Sequence, residues 1–188
     1  MTPRNTLPID VLRELISYDP ETGALTWLPR KPKHFTGEHR MSPQGRAAQW
    51  NGQFAGKLAI TTKSATGYLK GTIFCQHFLA HRIAFALHHG FWPQEIDHIN
   101  GDKADNRACN LRQATPSQNN RNRALPSTNK SGRIGVHYYH LGNCWRAHAK
   151  VGGRQIHLGS FRTRQAAVAA REKFERENGF HPNHGRAA

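Results

Sequence analysis

The 188-residue chain reads as an α+β protein with a small N-terminal β/α segment, a strand–turn–strand–helix core, and a separate three-stranded antiparallel sheet plus one helix. Two stretches carry that prediction. In the first, the apolar-edged run Ile96-Asp97-His98-Ile99-Asn100-Gly101 is followed by a second extended run closing at Cys109-Asn110-Leu111-Arg112 and by a helix opening at Thr115. In the second, three short alternating segments, Ile134–Tyr139, Cys144–Val151 and Arg154–Leu158, precede an alanine-rich helical pattern. Asn100-Gly101 predicts a tight type I′ turn. Thr115 as N-cap, Pro116 at the first helical position and Gln118 at capping-box spacing start the helix that carries Asn119.

In chain order, Ile9 to Ser17 predicts a short amphipathic helix, Tyr18 to Gly23 a turn, and Ala24 to Trp27 a strand. Residues 29–50 mix Pro, Gly, Lys, His and Arg without periodicity and predict a mobile basic loop, either lying on a phosphate backbone or a plain connection. Tyr68 to Phe74 alternates as a half-buried strand, and Leu79 to His89 predicts a helix stopped by Gly90. In that helix His81 reads as a structural histidine, with an approach of His81 or Arg82 to a phosphate as the alternative; Trp92 reads as core. Leu125 to Gly132 has linker composition. The predicted organisation is 1–75, 76–124, a linker at 125–132, 133–180, and a tail at 181–188.

Charge narrows the class of partner. The net charge is +15, and no acidic residue occurs between Arg112 and Arg171, so the second half of the chain seeks a polyanion. Three isolated cysteines, Cys75, Cys109 and Cys144, match neither a zinc spacing nor a disulfide framework. No apolar run approaches the roughly 20 residues of a membrane span, and the first residues lack a signal-peptide core. These features predict a soluble protein of a reducing cytoplasm, with no obligatory protein partner evident.

The core stretch carries the chemistry. A carboxylate at Asp97 and an amide oxygen at Asn119 are hard ligands suited to Mg2+ or Mn2+. A neutral imidazole at His98 suits a general base near pH 7. On a regular strand Asp97 and His98 point to opposite sides, so a twist or bulge is expected to bring them to one site. Arg123 shares Asn119's helical face and is a candidate phosphate contact; a solvated surface arginine is the rival reading.

Asp97-His98, eleven residues, Asn110, eight residues and Asn119 together resemble the HNH endonucleases, and most closely the phage and intron-encoded homing branch. Tyr18-Asp19-Pro20-Glu21-Thr22-Gly23 before Leu25-Thr26-Trp27 is similar to the N-terminal segment of phage HNH proteins. The resemblance implies a ββα-metal nuclease core that hydrolyses phosphodiesters of double-stranded DNA. It implies His98 as general base, Asp97 and Asn119 as holders of one divalent ion, and Asn110 as the brace of the hairpin.

In the C-terminal part, Gly135-Val136, Trp145-Arg146-Ala147, Leu158-Gly159-Ser160-Phe161 and the alanine helix resemble the Apetala-two (ethylene-response-factor) DNA-binding domain over about residues 132–180. That resemblance implies DNA contacts from outward sheet residues, by position His137, Tyr139, Arg146, His148, Lys150, Gln155 and His157. Two function classes stay open. One is a homing-type endonuclease, with nicking plausible for a monomer. The other is a catalytically inactive DNA-binding transcriptional or architectural protein. The joint presence of Asp97, His98 and Asn119 favours the enzyme.

Overall fold

The computed structural model describes residues 6–122, 124–182 and 184–185, and its contacts divide the chain into two compact units that meet in sequence between Gln113 and Ala114. The fold is mixed α+β.

The first unit opens with helix α1 (Ile9–Leu15), which buries Leu12 and Leu15 and passes directly into strand β1 (Ile16–Tyr18). β1 pairs antiparallel with β2 (Leu25–Trp27). The turn between them is built by Asp19, whose carboxylate accepts from the Glu21 amide at 3.0 Å and the Thr22 hydroxyl at 2.6 Å. Gly23 closes it at φ +75°, and a Cβ there would meet the backbone of Asn106 and Arg107 at 2.7 Å. The same turn holds residues 106–108 from two more sides. The Tyr18 hydroxyl donates to the Asn106 carbonyl at 2.8 Å, and the Ala108 amide donates to the Pro20 carbonyl at 2.9 Å.

Residues 29–50 are not the loop their composition predicts. A 3-10 turn spans Pro32–His34, and helix α2 spans Pro43–Phe54. Ser42 caps α2 by accepting from the Gly45 amide at 3.2 Å, with Pro43 at the first position, so the Ser-Pro pair starts a helix here rather than breaking one. Aromatic packing anchors it: Trp50 meets the Trp27 ring edge-on at 5.5 Å, and the Arg30 guanidinium lies 4.1 Å over Trp50. Glu14 gathers Lys33 and His34 at 2.7 and 2.9 Å, which ties the basic turn to α1.

Strands β3 (Thr62–Lys63), β4 (Leu69–Ile73) and β5 (Gln76–Leu79) form an antiparallel sheet in that order. The β4–β5 turn places Phe74 and Cys75 at φ +48° and +61°, the paired left-handed conformation of a two-residue primed hairpin. A boundary at 75/76 is therefore excluded by the ladder that crosses it. Helix α3 (Ala80–His89) follows, one residue later than the apolar stripe predicts, because Leu79 still pairs with Lys70. Gly90 caps α3 in the left-handed region and returns its amide to the Ala86 carbonyl at 2.9 Å. The core joins Leu12, Leu15, Ile16, Ile73 and Ile83, all essentially sealed from water. Trp92 packs against this cluster and donates its indole N–H to the Leu7 carbonyl at 2.8 Å.

Strands β6 (Ile96–His98) and β7 (Leu111–Gln113) pair antiparallel. Their connection runs through residues 99–110 and is not the two-residue type I′ turn that Asn100-Gly101 predicts. Only Gly101 of that pair has positive φ, at +80°. The loop is ordered by side chains instead, with Asn110 and Asp105 at its centre.

The second unit begins with helix α4 (Pro116–Arg121), held by a capping box in which Thr115 accepts from the Gln118 amide at 3.2 Å and Gln118 accepts from the Thr115 amide at 2.7 Å. A meander of β8 (Val136–Tyr139), β9 (Cys144–Val151) and β10 (Arg154–Phe161) places β9 in the centre. Helix α5 (Arg164–Glu177) packs on it and starts at the Thr163 cap. The apolar core is small, with Val136, Ala147 and Ala167 fully buried. A polar cluster completes it. Arg171, buried, donates from Nε to Glu175 at 2.7 Å and from Nη1 to the His148 carbonyl at 2.9 Å; Arg133 also pairs with Glu175. His184 is buried against the same pair, so part of the expected 181–188 tail belongs to the module. Gly135 has φ +80°, and a Cβ would lie 2.3 Å from the His148 carbonyl oxygen, which only glycine permits. Among the described residues no helix is long and apolar enough to cross a membrane.

Candidate active site and nucleic-acid face

The site is built on the β6–β7 ribbon. Its register, Ile96↔Gln113, Asp97↔Arg112 and His98↔Leu111, is regular, so no bulge turns Asp97 and His98 to one side. Both are buried, at 8% and 5% exposure. The Asp97 carboxylate meets its cross-strand neighbour: Oδ2 accepts from Arg112 Nη2 at 2.6 Å and Nε at 3.0 Å.

His98 lies in an aromatic setting. The ring of His81, from the first turn of α3, stands edge-on at 5.0 Å, and the Tyr68 ring is 5.8 Å away. Tyr68 also packs on His81 at 4.9 Å. Burial pushes the His98 imidazole below its ordinary pKa, while Asn106 and the carboxylates of Asp97, Asp102 and Asp105 pull the other way. Burial likewise raises the Tyr68 hydroxyl, with Asp97 and Glu95 adding to it. Lys103 stands 5.0 Å over the Tyr68 ring and donates to the Thr66 carbonyl at 2.9 Å, so a cation lies at the edge of this pocket.

Asn110 organises the loop behind His98. Its Oδ1 accepts from the Asn100 amide at 2.9 Å, its Nδ2 donates to the Asp105 carbonyl at 2.8 Å, and its carbonyl accepts from the Ile99 amide at 2.9 Å. Asp105 takes Arg107 at 2.6 and 2.8 Å and Asn100 at 2.8 Å, and the Arg107 bonds foremost lower its pKa to about 2. The two residues leave the loop with few unsatisfied polar groups, which is how twelve residues hold one conformation.

Asp97, His98 and Asn110 thus share the first unit. Asn119 lies on α4 in the second, and Arg123 lies outside the described residues. A carboxylate is the donor that hard cations take, so Asp97 fits Mg2+ or Mn2+ by chemistry, although a cation there has to share it with Arg112. Among the described residues no group of three or more His, Cys, Asp or Glu is placed to hold a metal. Sequence reading missed Arg112 and Tyr68. The signal for Arg112 is its place one residue past Leu111, directly across an antiparallel ladder from Asp97; Tyr68 has none, because it arrives from the segment leading into β4.

The sheet of the second unit presents the remaining candidates. His137 is opposite Arg146, Tyr139 opposite Cys144, His148 opposite His157, and Lys150 opposite Gln155. Directly opposed residues share a face, so His137, Tyr139, Arg146, His148, Lys150, Gln155 and His157 lie on one face and Val136, Ala147 and Ala149 on the other. His148 stands 5.2 Å from the His137 ring, and burial foremost, then the electrostatic influence of His137, Arg171 and His157, lowers its pKa.

Residues 78–121 match the model of a family described as HNH endonuclease. The match starts in β5, runs through α3, β6 and β7, and ends in α4, and it does not extend over the C-terminal sheet. Neither the curated proteins nor the solved structures give a significant match. Over residues 78–121 the chain is thus similar to an HNH-type endonuclease domain.

Proposed function

We propose that the chain is a metal-dependent, homing-type endonuclease that hydrolyses phosphodiester bonds of duplex DNA, cutting one strand at a time. The observation that carries this reading is His98, a buried imidazole biased towards its neutral form, inside the stretch that matches the HNH endonuclease model. His98 accepts the proton of the attacking water at its ring nitrogen. Tyr68 and His81 restrict the ring and keep bulk water from it. Asn110 positions His98 by fixing the loop that leaves it. Asp97 would offer its carboxylate to one Mg2+ or Mn2+, which would supply positive charge for the developing phosphorane and the leaving oxygen. Lys103 offers a cation for a neighbouring phosphate.

The acid-free face of the C-terminal sheet supports duplex DNA as its partner, in the manner the Apetala-two resemblance implies, and Arg123 would extend the phosphate contacts. A ribbon-like sheet of this kind fits a major groove about 12 Å wide. The second reading is a catalytically inactive DNA-binding regulator. It is favoured by one observation, the engagement of Asp97 by Arg112, which offsets the charge a metal needs.

Supercoiled phage DNA incubated with Mg2+, with EDTA, and with the His98→Ala variant separates the two. Metal-dependent conversion to open circles, lost in the variant, is the expected result. Tight, salt-sensitive binding without conversion by the wild type overturns the nuclease in favour of the regulator.

A further inference from the structure

Helix α2 is held firmly on one side and left bare on the other. Ala47 is buried, and Trp50 and Phe54 are half-buried on the same side, with Trp50 edge-on to Trp27 at 5.5 Å. Asn51 locks the helix to the chain that leaves β2. Its Oδ1 accepts from the Arg30 amide at 2.7 Å, and its Nδ2 donates to the Arg30 carbonyl at 3.0 Å. At about 3.6 residues per turn, Gln44, Ala48, Gln49, Gly52 and Gln53 fall on the opposite half of the helix, and each is exposed.

That face carries no charge. The one charged residue of α2, Arg46, lies at the edge of the packed side, 5.4 Å over the Phe35 ring, and donates to the Thr36 carbonyl at 3.2 Å. A surface helix ordinarily turns charged side chains to water; this one offers amides, a methyl group and bare backbone. Gly52 weakens a helix interior relative to alanine, yet a Cβ there would meet nothing within 4 Å, so internal packing does not require it.

The surroundings of this neutral face are cationic. Between Glu21 and Glu95 the chain has nine Lys and Arg and a single acidic residue, Glu38. Arg40 and Lys57, both exposed, stand beyond the two ends of the helix. The 12 residues of α2 span about 18 Å, enough to cross a groove about 12 Å wide and bring a cation to each rim. A neutral middle with cationic ends is the complement of a major groove, where uncharged base edges form the floor and phosphates the rims.

We propose that α2 is a recognition helix whose amide face enters the major groove of duplex DNA. Gln49 and Gln53 present bidentate amides to adenine N6 and N7, Ala48 packs its methyl on thymine, and Gly52 lets the helix backbone come close to the floor. Arg40 and Lys57 take phosphates at the rims. The inference rests on the reading that the chain acts on duplex DNA. It depends neither on residues 78–121 nor on the C-terminal sheet.

Binding-site selection from a randomised duplex pool tests this, with the full chain in EDTA so that nothing is cut. The wild type should enrich A·T pairs at one or more positions. The double variant Gln49→Ala/Gln53→Ala should lose about tenfold of that discrimination, while its low-salt affinity for random duplex changes less than about twofold. Ala48→Glu, which keeps a good helix former but sets a negative charge in the groove, should weaken duplex binding by about tenfold or more. Unchanged circular dichroism spectra establish that each variant is folded. Retention of every base preference by the double variant overturns the inference. So does loss of self-association, read by sedimentation, with base preferences intact, which makes the face a contact between copies of the chain. Duplex binding by the wild type without base preference overturns it and spares the nuclease reading. Absence of duplex binding altogether overturns both.

Discussion

Arg112 and Asp97 face each other across the β6–β7 ladder, and the guanidinium gives the carboxylate two hydrogen bonds, of 2.6 and 3.0 Å. The pair is asymmetric, because the carboxylate is 9% exposed and the arginine side chain 40%. A cation entering at Asp97 meets a competitor already in place. Arg112→Gln should therefore raise Mn2+ affinity, read by calorimetry or by the paramagnetic signal of free Mn2+. The same change should cost about 1.5–3 kcal/mol of stability, the range for a hydrogen bond to a charged group. Unchanged Mn2+ affinity would remove Arg112 as a competitor for the carboxylate.

Removing the imidazole isolates the proton transfer. His98→Gln should lower the strand-cleavage rate by about 10²–10⁴-fold, the usual contribution of a positioned base, with DNA affinity in EDTA nearly unchanged. The rate of supercoil loss and a gel-shift titration give the two numbers. Cleavage at the wild-type rate would reassign the base.

The Tyr18–Gly23 turn should control the order of the loop behind the site. Gly23→Ala places a methyl group 2.7 Å from the backbone of residues 106 and 107 at φ +75°, so it should destabilise by about 1–3 kcal/mol and speed amide exchange across residues 99–110. Gly52→Ala is the control. It lies inside α2 with open space around it and should stabilise by about 0.5–1 kcal/mol. Urea unfolding with hydrogen exchange reads both.

Glu14 predicts part of the acid response. Its hydrogen bond from Lys33 foremost, then that from His34, lowers its pKa from 4.5 to about 2. A carboxylate whose folded value is depressed contributes stability that is complete above pH 4.5 and is lost as the pH falls towards 2. The urea midpoint of the wild type should fall through that window, and Glu14→Gln should flatten the fall. An identical slope in the variant would place the acid sensitivity elsewhere, with Asp105 as the next candidate.

Lys150 should act through charge alone. Lys150→Ala should weaken DNA binding uniformly across sequences and reduce the slope of log affinity against log salt by about one. A change of sequence preference in place of that shift would make Lys150 a base reader.

The sequence by itself determined the elements whose signals are local: the capped start of α4, the Gly90 stop of α3, the alternation of β9, and the acid-free stretch from Arg112 to Arg171. It also singled out Asp97, His98 and Asn110 as candidates, because their spacing along the chain is itself the signal. Local rules failed where a partner decided the conformation. Asn100-Gly101 carries a hairpin signature, yet Asn110 and Asp105 hold that segment in a long loop, while the primed turn forms at Phe74-Cys75 because β4 and β5 pair on either side of it. Helix α2 needed Trp27 to pack on Trp50, and Asp97 acquired its guanidinium only when β7 came into register with β6. The enclosure of His98 by Tyr68 and His81, and the stacking of Arg146 on Tyr139, belong to tertiary structure alone. Periodicity reports which residues seek burial, but the neighbour that supplies the burial comes from elsewhere in the chain, and that neighbour sets the chemistry.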